Sequence, residues 1–393
     1  MTRPEPREYD VIVVGGRAAG AATALQLARR GLEVLVVDRA RRGSDTLSTH
    51  ALMRTGVLQL RRWGLLDDVI ASGAPPLGRT IVHYGDEAVP IDLAPTGGVD
   101  ALYAPRRTVL DPILVEAAER EGVQAEFGVR VTDLLRDHEG RVTGIEAVDD
   151  SGRNFTARSR LTIGADGLQS TVARRANATI YRSGTSSSAL FYSYWSGMEV
   201  EGYEWFFRPG LSGGIIPTND ERACVWVGAP TEGFRRELFV DGKPSIERAF
   251  ARLNHPAAAR LETGRAQGFR AFRGRPGFFR QAWGPGWALV GDSGYFKDPL
   301  SAHGISDAFR DAELLARAIA SVFAGDAREH EALAAYQRTR DELSHVMFSA
   351  TDAVASYQWD LSQLRGLLLE ISAAIRNEFE TLLLLEEAST LAA

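Results

Sequence analysis

The chain has a single cysteine, Cys224, among its 393 residues. One cysteine excludes a disulfide framework or a multi-cysteine zinc site within the chain, and it points to a reducing, cytoplasmic compartment. There is no basic surplus either, because the formal net charge is -6. That argues against nucleic acid as a partner, since duplex binding needs a basic stripe to neutralise phosphates. No stretch reaches the ~18 apolar residues of a membrane span, and the C-terminal "LRGLLLEISAAI" is only amphipathic. The charged "MTRPEPREYD" runs straight into "VIVVGG", which reads as a buried strand and not a secretory signal. Repeats, low-complexity linkers, a "GxSxG" nucleophile turn and metal-spaced His/Glu pairs are all missing, and the seven histidines are scattered. What is present, 45% hydrophobic and 24% charged residues, is the balance of a globular protein with about two to three domains.

The N-terminal segment alternates clearly. "YDVIVV" is an apolar run of strand length, "AAGAATALQLARRG" has helical spacing that stops at Gly31, and "EVLVVD" is a second apolar strand. Continuous apolar strands around a helix predict a βαβ unit in a parallel sheet covered on both faces. "THALMRTGVLQLRRWGLLDDVIASG" reads as one long helical stretch, and "GRTIVHYGDEAVPIDL" as a hairpin. "RRTVLDPILVEAAEREG" is helical, with Pro112 tolerable in the first turn. From about 186 to 275 aromatics cluster on alternating strands, as in an antiparallel sheet with one face toward a cavity. After "GWALVGD" the pattern turns helical to the end. The expected fold is α/β: a Rossmann-like domain from 1–75, 101–185 and 276–330, an inserted antiparallel sheet domain from 76–100 and 186–275, and C-terminal helices over 331–393.

Three stretches carry chemistry. In "VVGGRAAG", Gly15 can make the tight turn of a dinucleotide loop and Gly20 the close helix packing, but Arg17 stands where the second glycine belongs. Gly16 keeps the backbone permissive beside it. Free N–H groups around Ala18 and Ala19 at the helix start suit a diphosphate. Arg17 can add a cation to that diphosphate or point to solvent. Asp38, followed by Arg39, closes the second strand where a carboxylate can accept from ribose hydroxyls. The second stretch is "GADGLQSTVAR", whose Asp166 and Gly167 also make a good ordinary turn. The third is "GWALVGDSGYFKDPLSAHGISDAFRDAELLARAI".

In this order the three stretches resemble the para-hydroxybenzoate hydroxylase family of group A flavoprotein monooxygenases, with flavin-dependent halogenases and geranylgeranyl reductases as relatives. The resemblance covers roughly residues 8–185 and 275–320 and implies FAD as cofactor. Asp292, after Gly291 at a strand's carboxyl end, then accepts hydrogen bonds from ribityl hydroxyls. Pro299 lies in the following turn-rich loop. The helix starting near Gly304 and Ile305 offers its N–H groups to negative charge on the reduced ring. Asp292-Ser293 replaces the family's Asp-Ala pair. The resemblance also links Asp166 and Gly167 to the pyrophosphate and places Arg107 against FAD, although Arg106 is not separable from it. It brings His50 and Arg54, in "LSTHALMR", toward the flavin. His303, beside Gly304, is a candidate for proton exchange.

The chemistry implied is oxygenation. NAD(P)H, or a separate flavin reductase, supplies electrons, and a flavin peroxide gives one oxygen atom to a largely apolar or aromatic small-molecule substrate. Tyr192, Tyr194, Trp205, Phe207, Ile216, Pro217 and Trp226 are candidate pocket-lining residues, with Ile215 to Pro217 laid over the ring. Residues at alternate strand positions also make any sandwich core. Cys224 reads as a packed small side chain. Alternatives are reduction of carbon–carbon double bonds, halogenation (for which "EWFFRPGLSGGIIP" lacks the tryptophan-rich pattern), and a non-enzymatic flavoprotein docking through "LLLEISAAIRNEFETLLLLEE".

Overall fold

The computed structural model describes residues 7–391 apart from 233 and 235–241. The expected βαβ unit is present. The strands Arg7–Val14 and Val34–Asp38 pair in parallel around the helix Ala18–Ala28. Both strands are buried over most of their length, as continuous apolar runs require. Asn154–Gly164 and then Trp287–Leu289 extend the sheet in parallel on one side, and Gln124–Phe127 on the other. The antiparallel pair Val129–Arg136 and Val142–Asp149 also joins this eight-stranded sheet.

A seven-stranded sheet lies apart in the topology. Its order runs Arg265–Phe272, Ser188–Ser196, Arg222–Pro230, Leu211–Thr218, Tyr203–Arg208, Arg79–Tyr84, Glu87–Asp92. The early hairpin therefore joins the later aromatic block, and its first strand pairs in parallel with Tyr203–Arg208. Side chains alternate across this sheet. Phe191, Trp195, Phe206, Ile215 and Val225 face one side, while Tyr192, Tyr194, Phe207, Ile216 and Trp226 face the other.

Two expectations change. The stretch after Thr49 is not one helix but two, Arg54–Arg62 and Leu66–Ala71, broken at Gly64, whose φ of 69° is left-handed. The aromatic block is not all strand. The helices Lys243–Leu253 and His255–Thr263 cover one sheet face with Ile246, Phe250, Leu253 and Leu261. Those apolar positions recur three and four residues apart within the first helix, which is a helical period inside a segment read as strands. Three helices follow the last parallel strand: Gly304–Ala324, Glu329–Ala355 and Leu361–Leu391. Among the described residues, no helix is long and apolar enough to cross a membrane.

Candidate active site

The three sequence stretches meet at the carboxyl ends of the parallel strands. A Cβ on Gly15 would sit 2.4 Å from the Ala165 carbonyl oxygen, so only glycine lets the second stretch lie against the first loop. Its φ of 109° demands glycine as well. A Cβ on Gly291 would sit 2.9 Å from the Ala19 methyl, which sets the third stretch against the same loop. The Gly167 N–H donates to Ser293 Oγ at 2.9 Å and joins the second stretch to the third. Ser293, the departure from the family's alanine, thus has a structural use. Met53 N–H donates to Ser306 Oγ at 3.2 Å and ties the "LSTHALMR" segment to the same corner.

Free donors and one free acceptor face this corner. The N–H groups of Ala18, Ala19 and Gly20 lie in a first helical turn, where no intrahelical acceptor exists, and those of Gly304, Ile305 and Ser306 begin another. Asp292 is exposed, although the residues beside it, Gly291 and Ser293 to Asp298, are buried. That burial pushes its carboxyl up to about 6, opposed by Lys297 and Arg107. Among the described residues its carboxylate has no hydrogen-bond partner.

Other expected residues are already engaged. Asp38 accepts from the N–H groups of Gly16 and Ala40, both at 2.7 Å, and lines a cleft with Arg17, Arg42, Asp111 and Phe127. Arg39 is exposed. Arg17 Nη2 reaches Ser44 Oγ and the Asp45 carbonyl, each at 3.4 Å, so its side chain ties the loop after Asp38 to the glycine turn. Asp166 is occupied by its own turn, accepting from Ser170 Oγ at 2.5 Å and Thr171 N–H at 2.6 Å. Arg107 and Arg106, inseparable in sequence, part company. Arg107 is buried in a bidentate pair with Asp111 at 2.8 and 2.9 Å. Arg106 stacks over the Tyr194 ring, 4.5 Å from its centroid. Arg54 lies over the Phe379 ring of the C-terminal helix instead of the corner.

One face of the seven-stranded sheet continues from this corner. Tyr194 O–H hydrogen-bonds His50 Nε2, and Tyr192 OH accepts from Ser48 N–H at 3.1 Å. His50 holds a left-handed φ of 68°, a sparsely populated conformation for a non-glycine residue. Burial, with Arg107 and Arg106 nearby, pushes its imidazole down to about 3, so it is neutral at neutral pH. Burial raises Tyr194 well above the ordinary phenol range, so it keeps its proton. Tyr194 OH and His50 Nε2 satisfy each other, and His50 Nδ1 has no partner among the described residues. Further along, Trp205 packs on Trp226, Phe207 on Trp359, and Ser212 Oγ hydrogen-bonds Tyr357 OH at 2.7 Å. Ile216 and Cys224 belong to this face. Pro217 does not. It registers opposite Ala223, on the helix-covered face with Ile215, because neighbouring strand residues point to opposite sides.

His303 sits deeper than expected. It is fully buried, with Nε2 3.0 Å from Glu378 Oε2 and 3.4 Å from Thr55 Oγ1. Glu378 belongs to the leucine-rich tail, where nothing in the sequence sets it apart from the exposed Glu380 two residues on.

A profile described as "FAD binding domain" matches residues 8–351. The chain belongs to this FAD-binding family. It is 26% identical over 335 residues to the digeranylgeranylglycerophospholipid reductase of Methanocella arvoryzae, covering 81% of this chain and 79% of that one. The fold is shared with PqsL, a probable FAD-dependent monooxygenase from Pseudomonas aeruginosa, at a TM-score of 0.78 and 24% identity over 92% of this chain and all of that one. The flavin-dependent brominase Bmp2 superposes at 0.79 with 20% identity, over 93% of this chain and 94% of that one. The residues fit the cofactor: an unpartnered carboxylate and two sets of free helix-start amides meet where ligands of open α/β sheets bind.

Proposed function

We propose that this FAD-dependent oxidoreductase is a monooxygenase that inserts one oxygen atom from O2 into a small, largely apolar or aromatic molecule. When bound, FAD supplies the electron transfer and the activation of oxygen. The chain's own groups bind, orient and shield. Asp292 holds the ribityl chain. The amides of Ala18 to Gly20 face the diphosphate, and those of Gly304 to Ser306 face negative charge on the ring. Asp38 takes a ribose hydroxyl, and Arg17 closes the loop over the adenosine half. Tyr192, Tyr194, Ile216 and Trp226 form the apolar wall that excludes water. NAD(P)H, directly or through a separate reductase, is the electron source. The segments 76–100 and 186–275 form the substrate domain, and 1–75, 101–185 and 276–330 the FAD domain.

One observation carries this reading. The aromatic face is polar at its His50–Tyr194 end and closed at the other by Tyr357 and Trp359. That geometry favours a compact substrate with one polar group over a long isoprenoid chain. The second reading, saturation of carbon–carbon double bonds, draws on the reductase relative. A panel of small aromatic compounds and isoprenoid lipids separates them, offered to NAD(P)H-reduced protein with 18O2 and under strict anaerobiosis. The expected result is an aromatic product carrying one 18O atom, with oxygen uptake that rises with substrate. A saturated product formed without oxygen overturns the proposal.

A further inference from the structure

Behind the flavin-facing loop lies a buried ionic network that the oxygenation chemistry does not use. It draws on four elements: the loop residues Lys297 to His303, the helix Gly304–Ala324, the helix Glu329–Ala355 through Ser344, and the C-terminal helix Leu361–Leu391. Glu378 Oε2 is 3.0 Å from His303 Nε2 and accepts from Arg310 Nη1 at 3.3 Å. Arg310 also donates to Asp307 Oδ1 at 3.1 Å, to Asp311 Oδ1 at 2.7 and 2.9 Å, and to Ser344 Oγ at 2.9 Å. Lys297 Nζ bonds the other oxygen of Asp307. Lys297, His303, Asp307, Arg310, Asp311 and Glu378 are all buried.

The arrangement clamps the loop at both ends. Lys297 at its start is held by Asp307, and His303 at its end by Glu378. Between them Asp298 accepts from Ser188 N–H at 2.7 Å and Ser188 Oγ at 2.5 Å, which pins the middle to the aromatic sheet. His303 is also the N-cap of the helix whose first amides face the cleft. Burial works against charge on Glu378, but His303 and the permanently charged Arg310 hold its carboxyl down to about 2. Burial lowers His303, opposed by the Glu378 carboxylate that its Nε2 faces. His303, Asp307 and Glu378 also converge as metal ligands would. Lys297 and Arg310 already bond the two carboxylates, however, and a divalent ion there would face the fixed positive charge of Arg310.

We infer that Glu378, from the C-terminal helix, is a positioning residue of the flavin site that acts through His303 and Arg310 to set the loop Lys297–His303 and the helix start behind it. The inference rests on FAD binding at the corner and holds for oxygenation or reduction alike. It makes the tail part of the cofactor site and not a cover over it.

The test compares Glu378→Gln with Leu382→Ala. Leu382 is fully buried in the same helix, so its truncation loosens packing without touching charge. Apo-protein unfolding temperature, FAD dissociation constant and the visible bands of bound FAD are measured for each. Glu378→Gln is expected to weaken FAD about tenfold or more, the effect of losing one charge-assisted hydrogen bond, and to shift the visible bands. Leu382→Ala is expected to lower the unfolding temperature at least as much, with FAD affinity within about twofold and the bands in place. Wild-type affinity and spectrum in Glu378→Gln overturn the inference. So does Leu382→Ala reproducing both changes. Wild-type protein that binds no FAD overturns the cofactor assignment itself, and this inference with it.

Discussion

At the scale of single residues, the carboxylates of this site differ in what they have left to give. Asp38 satisfies amides of the glycine loop and of its own turn, and Asp166 donors of its own turn, whereas Asp292 has no hydrogen-bond partner among the described residues. A ligand hydroxyl met by Asp292 gains a hydrogen bond to an ion, a contact of about 1.5–3 kcal/mol. Asp292→Ala is therefore expected to purify nearly colourless, with FAD affinity reduced about 10- to 100-fold. Flavin content and a titration of apo-protein measure this, and a variant that stays fully yellow refutes the assignment. The neighbouring residues show where sequence runs out. "PRRTVLD" offers two arginines with one spacing, and only the packed chain sends Arg107 to Asp111 and Arg106 onto Tyr194. Likewise "GGIIPTND" offers three apolar residues, and strand alternation keeps only Ile216 on the face with Tyr192 and Tyr194.

At the scale of elements, the glycine loop is the tightest joint. A Cβ on Gly20 would lie 1.8 Å from the Gly15 carbonyl oxygen, closer than any real contact, and both partners are backbone with no flexible end to swing away. Gly20→Ala must open the strand–helix turn. Overpacking of this kind costs about 1–3 kcal/mol. Chemical denaturation is expected to show that loss in the apo-protein, and added FAD is expected to recover little of it. Unchanged stability together with normal FAD affinity contradicts the close packing described. This loop, the βαβ unit around it and the early hairpin were all legible, because each rests on short-range signals: apolar run length, turn glycines and alternation. The helices Lys243–Leu253 and His255–Thr263 were not read, since their period lies hidden in a segment whose aromatic strands dominate. The single helix expected after Thr49 failed at Gly64, where a left-handed C-terminal turn ends the first helix.

At the scale of the whole molecule, FAD is expected to act as a bridge. Its contacts are expected to fall on the first loop, the third stretch and, through the network behind it, the C-terminal helix. A ligand bound only by the folded state stabilises it by about 2.7 kcal/mol at 100 times its dissociation constant. For a chain of this size that is a rise of roughly a few degrees in unfolding temperature. Calorimetry of apo-protein with FAD added should show it, and no shift at saturating FAD speaks against the convergence. The sequence by itself determined the fold class, the order of the three stretches and the family, because these depend on residue type and local spacing. It determined the aromatic wall in outline as well. Only the tertiary structure decided which carboxylate stays free, which face each aromatic residue takes, and that Glu378 meets His303. Those outcomes depend on contacts between segments far apart in the chain, for which local patterning carries no signal.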